Sequence, residues 1–167
     1  MSASYDWSRF TVRINVNAPV PELYRAWATR AGMERWFLRL SEYKRTDHVL
    51  RGDSELAEKG DSYKWRWYGW PDETTEYGEI LDCNGKDLFK FSFSNAGNCT
   101  VKIYTEHDET IVELLQENIP ADDNGKHTWH LGCKTGWTFY MTNLKSLYEG
   151  GTDLRNKNVL MKNVLNS

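Results

Sequence analysis

The chain has 167 residues and a formal net charge of −3 at pH 7, with no block of like charges. That length suits one domain, large enough to bury about two-thirds of its unfolded surface. The charge balance excludes a nucleic-acid groove, which needs a clustered basic surface.

Cys83, Cys99 and Cys133 stand far apart without C-x-x-C spacing, unlike a dense disulfide scaffold. No apolar run approaches the ~20 residues of a membrane-crossing helix. The stretch from Met1 to Trp7 lacks the apolar core of a signal peptide. The expectation is a reduced, soluble, cytoplasmic protein. Aromatic residues make up 14%, including eight Trp, and such rings either fill a core or line a pocket.

Phe10, Val12, Ile14 and Val16 alternate with polar residues, the period of a half-buried strand. Asn17-Ala18-Pro19 stops that strand, and Pro19 or Pro21 suits the first turn of a helix. Val20, Leu23, Tyr24 and Trp27 give this helix an apolar face. Gly32 is expected to break it, leaving Met33, Trp36 and Phe37 on a second short helix. A strand near Leu40 to Lys44 and a charged loop follow. Tyr63, Trp65 and Trp67 then alternate up to a Trp70-Pro71-Asp72 turn.

A strand from about Thr75 to Cys83 meets Asn84-Gly85, which predicts a two-residue type I′ hairpin. Phe89, Phe91 and Phe93 alternate on the return. Asn95-Ala-Gly-Asn98 turns the chain into a strand bearing Cys99, Val101 and Ile103. Asp108-Glu109 turns it once more, into Thr110 to Ile119. These five strands form an antiparallel meander.

Asp122-Asp-Asn-Gly125 supplies capping carboxylates for a long helix from His127 to Glu149. Its stripe of Trp129, Cys133, Trp137, Tyr140, Met141, Leu144 and Tyr148 recurs at three- and four-residue steps. Gly150-Gly151 ends it. The tail carries Leu154, Val159, Leu160, Met161, Val164 and Leu165, and is expected to form a short docked or partner-binding helix.

Strand, two short helices, six strands and a long helix make the helix-grip order. Several segments resemble the START-like (SRPBCC) superfamily, and most closely the branch named after the activator of heat-shock protein 90 ATPase. They are Ala18-Pro19-Val20, Met33-Glu-Arg-Trp36-Phe37, Gly60-Asp61-Ser-Tyr63-Lys-Trp65, Gly78-Glu79-Ile80-Leu81, Gly136-Trp137 and Asn143-Leu144-Lys145-Ser146-Leu147. The resemblance implies an α+β START-like fold. A curved antiparallel sheet of about seven strands would wrap a long C-terminal helix, with two short helices after strand 1. Residues 1–167 are then one domain, with a core at about 8–149 and a tail at 150–167.

His127, His130 and Cys133 form H-x-x-H-x-x-C, but each residue sits further round the helix, so no single metal point results. A capping or rim role suits the histidines better. Glu79, Glu106, Glu113 and Glu117 are strand carboxylates, expected on the solvent face. No nucleophile elbow, Gly-rich phosphate loop or H-E-x-x-H motif is present. No catalytic residue, metal ligand or cofactor is assigned.

The candidate site is aromatic. Trp36, Phe37, Trp65, Trp67, Phe91, Phe93, Trp137, Tyr140 and Met141 are expected to line a cavity between helix and sheet, with Arg66 and Tyr140 as candidate polar anchors. The leading reading is a non-catalytic module for a small, mainly apolar ligand. One alternative is a co-chaperone-like or stress-response interaction protein, binding a chaperone or associating with itself through the tail. The other is a cyclase- or hydratase-like enzyme.

Overall fold

The computed structural model describes residues 3–165. Strand β1 spans Phe10–Asn15, and helices α1 (Val20–Ala28) and α2 (Arg30–Trp36) follow it. Strands β2 (Leu40–Lys44), β3 (Ser62–Arg66), β4 (Glu76–Cys83), β5 (Leu88–Ser92), β6 (Asn98–Glu106) and β7 (Glu109–Glu117) complete the sheet. Their order is β1-β7-β6-β5-β4-β3-β2, antiparallel throughout. The long helix α3 covers Gly132–Tyr148 and packs along β1 and α2. This is the helix-grip fold. Among the described residues, no helix is long and apolar enough to cross a membrane.

Alternation in the strands carries the core. Tyr63 and Trp65 on β3, Phe89 and Phe91 on β5, and Val101 and Ile103 on β6 all point inward and are buried. Leu23, Tyr24 and Trp27 of α1 close over them. The Trp36 indole donates to the Ala26 carbonyl at 2.9 Å, and the Tyr43 hydroxyl to the Trp27 carbonyl at 2.7 Å. Thus the two short helices and β2 are joined by hydrogen bonds as well as by rings. Burial pushes the Tyr24 hydroxyl up to about 12, and it accepts from the Gly85 amide at 3.1 Å.

Two local expectations need correction. The break between the short helices lies at Thr29, not Gly32. Thr29 is extended (φ −120°, ψ 151°), its hydroxyl donates to the Arg25 carbonyl, and its oxygen accepts from the Gly32 amide at 3.0 Å. Gly32 sits inside α2 because the helices cross closely: a Cβ there would come within 2.2 Å of the Arg25 carbonyl oxygen. The second correction is the Asn84-Gly85 turn. The hairpin forms, but its loop takes four residues, because the Asn84 side-chain oxygen accepts from the amides of Lys86, Asp87 and Leu88 at 2.9–3.0 Å. The two-residue turn with both φ positive is His107-Asp108, between the paired residues Glu106 and Glu109.

The long helix begins differently from its expected form. Gly125–Leu131 is a π-helix, a wider turn that runs directly into α3. Asp122 accepts from the Gly125 amide at 2.7 Å, as a capping carboxylate should. His130 is fully buried, with one ring nitrogen 2.8 Å from the Tyr5 hydroxyl and the other 2.8 Å from the Trp7 carbonyl. It fastens the N-terminal segment to this π-helix.

The tail forms no helix among its described residues. Asn156 and Asn158 side chains accept from the amides of Asn158 and Leu160, which competes with helical hydrogen bonding. Instead Arg155, buried, donates to the carbonyls of Glu34, Arg35 and Leu38 at 2.7–3.1 Å. The first two are free carbonyls in the last turn of α2, and Leu38 lies just beyond its end. Asn143 of α3 completes the anchor, donating to the Trp36 carbonyl and accepting from the Leu154 amide.

Candidate functional site

The interior of the grip is solid at one end and open at the other. At the open end lies a cleft of about 330 Å³ between α3 with its π-helix and the loop joining β3 to β4. Seven aromatic residues line it: Phe37, Trp67, Trp70, Phe93, Trp129, Trp137 and Tyr140. Thr74, Thr128, Gly132, Cys133 and Gly136 complete the wall, so no Asp, Glu, Lys, Arg or His side chain faces the space.

The rings are held by one another and by buried polar contacts. Phe37 is the hub, with centroids 5.7 Å from Trp67, 4.9 Å from Trp137 and 4.9 Å from Tyr140. Trp137 also lies 5.6 Å from Phe93, and its indole donates to the Gln116 side-chain oxygen at 2.8 Å. Gln116 is fully buried and donates in turn to the Ala96 carbonyl at 2.9 Å. The wall is therefore preformed around Trp137, and a ligand would meet little reorganisation cost there.

Two glycines keep the helix side open. Gly132 and Gly136 are one turn apart on α3, flanking Cys133 in the wall. A Cβ at Gly136 would meet nothing within 4 Å, and one at Gly132 only the His127 carbonyl oxygen at 3.8 Å. Packing does not require glycine at either position, although glycine weakens a helix interior by about 0.5–1 kcal/mol relative to alanine. Burial pushes the Cys133 thiol up, against an opposing hydrogen bond with Gln116, so it faces the cleft as a neutral thiol.

Phe37, Trp67, Phe93, Trp137 and Tyr140 come together in the cleft wall. Trp36, Trp65, Phe91 and Met141, expected in the same lining, lie fully buried behind it instead. The helix-facing side of the sheet is deeper than one ring, so only the outer layer reaches the open space. Arg66 also departs from its expected place inside the cavity. Side chains alternate along β3, so Trp65 facing inward turns Arg66 outward. There it donates to the Thr75 hydroxyl at 3.0 Å and lies 3.2 Å from the Asp72 carboxylate. With Arg39, 2.6 Å from Asp72, it braces the loop that carries Trp70 and Thr74.

Trp70, Thr74, Thr128, Trp129, Gly132, Cys133 and Gly136 were not among the expected lining residues. The repeat Gly132-x-x-x-Gly136-Trp137 was the available signal, since two glycines inside an otherwise strong helix mark a face that stays uncovered. Among the described residues no group of three or more His, Cys, Asp or Glu is placed to hold a metal ion.

A family model described as Activator of Hsp90 ATPase homolog 1-like protein matches residues 17–149. The chain belongs to that family. Solved structures share its fold at low identity. The Aha1 dimer from Colwellia psychrerythraea is 15% identical with a TM-score of 0.66, covering 86% of this chain and 98% of that one. SSP2350 from Staphylococcus saprophyticus is 19% identical with a TM-score of 0.67, covering 88% and 96%. DynU16, a protein of the dynemicin biosynthetic locus, is 20% identical with a TM-score of 0.62, and 90% of this chain spans 50% of it. No curated protein matches the sequence. In this member of the Hsp90 ATPase activator homolog family, the cleft lies between α3 with its π-helix and the loop joining β3 to β4.

Proposed function

We propose that this domain binds a small, mainly apolar molecule in the aromatic cleft and does no chemistry on it. The observation that carries this reading is a preformed space of about 330 Å³ walled by seven aromatic side chains and no charged one. Such a wall gains affinity by removing apolar surface from water, at about 25 cal/mol per Å². Thr74, Thr128, Tyr140 and the Cys133 thiol are the polar groups that would orient a ligand. Of the proposed ligand-contacting residues, Phe37, Trp67, Phe93, Trp137 and Tyr140 would touch the molecule, while Trp36, Trp65, Phe91 and Met141 support them from behind.

A cyclase- or hydratase-like enzyme would use a carboxylate or a tyrosine in the space; Tyr140 lines it, but no carboxylate does. The half-buried Glu76 carboxylate has its pKa raised by burial but does not line the cleft. That favours binding over catalysis, and no cofactor enters the proposal. We treat residues 1–167 as one cytoplasmic domain, in keeping with three free thiols.

A second reading, a co-chaperone-like or stress-response interaction protein, draws on the family description and on the tail. Val159, Leu160 and Leu165 are 73%, 84% and 70% exposed, an apolar run suited to a chaperone or a second copy. Native mass spectrometry of the purified protein tests the leading reading. A co-purifying molecule of a few hundred daltons, released on unfolding, is expected. A bare chain whose melting temperature no apolar compound raises would reject it and favour the tail.

A further inference from the structure

Asp153, Arg155 and Lys157 stand at every second position of the tail, and the structure uses the three as a bridge. At one end, the buried Asn143 of α3 donates to the Asp153 carboxylate at 3.2 Å and accepts from the Leu154 amide at 2.7 Å. Asp153 lies 2.8 Å from Arg155 and 3.0 Å from Lys157. At the other end, both cations lie over the Tyr68 ring, 5.2 Å and 5.0 Å from its centroid, as the electron-rich face of the ring favours. Tyr68 belongs to the loop joining β3 to β4.

This bridge joins the two walls of the aromatic cleft from outside. The helix supplies Trp137 and Tyr140 to one wall, and the loop supplies Trp67, Trp70 and Thr74 to the other. Arg155 pins the middle of the bridge to the carbonyls of Glu34, Arg35 and Leu38. Packing does not fix the loop at Trp70. That ring is 49% exposed, with the cleft on one side and a groove of about 440 Å³ on the other, where Lys157, Val159 and Lys162 face it. Gly69, at φ +83°, gives the backbone between Tyr68 and Trp70 the freedom of a hinge. The position of Trp70 therefore depends on the clamps either side of it: Asp72 held by Arg39 and Arg66, and Tyr68 held by the tail.

We propose that the segment from Asp153 to Lys157 is a strap that holds the β3–β4 loop at a fixed distance from α3, and so sets how long the cleft retains its ligand. Lys157 and Tyr68 are its positioning residues, and neither lines the cleft. With the strap fastened, Trp70 stays over the mouth. With it released, the loop swings about Gly69 and the cleft opens without losing any of its wall residues. Release then acts chiefly on the dissociation rate. The effect on retention rests on the ligand reading above; the strap's hold on the loop does not.

The hold is tested on the ligand-free full chain by NMR relaxation dispersion at the Gly69 amide and the Trp70 indole. Lys157→Ala and Tyr68→Leu should each raise exchange broadening there. Tyr68→Phe, which keeps a ring under the cations, should match the native chain. Unchanged profiles in Lys157→Ala and Tyr68→Leu would overturn the strap, and so would equal changes in Tyr68→Phe and Tyr68→Leu. Retention is tested by stopped-flow chase of bound N-phenyl-1-naphthylamine. Lys157→Ala and Tyr68→Leu should release the dye at least about fivefold faster than the native chain while melting within about 4 °C of it. Equal release rates would overturn the role in retention. If no protein binds the dye while the exchange rises in both variants, the strap stands and the ligand reading fails.

Discussion

The two ends of the grip use the same residue types to opposite effect. Under α1 and α2, Trp27, Trp36, Trp65 and Phe91 are fully buried, with ring centroids 4.6 Å apart for Trp27–Trp36 and 5.2 Å for Trp65–Phe91. Under the start of α3, Trp67, Trp70, Trp129 and Phe93 surround open space. The difference is what faces the rings. At the closed end two whole helices bring Leu23, Trp27 and Met33 onto the sheet. At the open end Gly132 and Gly136 bring nothing. Aromatic content alone does not distinguish core from pocket; the residues opposite do.

Trp36→Ala should break the closed end most severely. Removing a fully buried indole that also bonds the Ala26 carbonyl is expected to cost about 3–5 kcal/mol in denaturant unfolding. Arg155→Ala comes next. It leaves the carbonyls of Glu34, Arg35 and Leu38 without their donor, at about 1–3 kcal/mol, read by the same unfolding series.

Acid should act on the same clamp, less strongly. Burial pushes the Asp153 pKa up, but hydrogen bonds from Arg155 and Lys157 outweigh it and hold the carboxyl well below its ordinary value. A depressed folded pKa contributes stability above about pH 4 and loses it as the pH falls through the folded value. Chemical shifts of Leu154 and Arg155 should therefore move at strongly acid pH, and Asp153→Asn should remove that transition.

Much of the architecture was legible because period-2 runs such as Tyr63/Trp65 and Phe89/Phe91 admit only one inward face. The hairpin at Asn84-Gly85 was legible as a turn but not in its length, which a side-chain oxygen set by bonding three amides. The π-helix was hidden because the stripe from Trp129 onward fits an α-helix equally well. Arg155 was hidden too, since nothing local marks an arginine whose partners are carbonyls about 120 residues away. In the site, Phe37, Trp67 and Trp137 could be named from pattern. Which rings stood in front and which behind depended on sheet depth, a tertiary property.

The open end predicts small effects on stability and large ones on binding. Gly136→Leu should stabilise the fold by about 0.5–1 kcal/mol, because leucine is the better helix former and its Cβ meets nothing. Trp70→Ala, at a half-exposed ring on the loop, should change unfolding by no more than about 0.5 kcal/mol.

The most direct test of the cleft as a binding site is the affinity of N-phenyl-1-naphthylamine for the native chain and for Gly136→Leu. Saturable binding with quenched Trp fluorescence is expected for the native cleft, weakened at least tenfold by the leucine while the melting temperature holds or rises. Equal affinity in the two proteins would place the dye elsewhere and contradict the account.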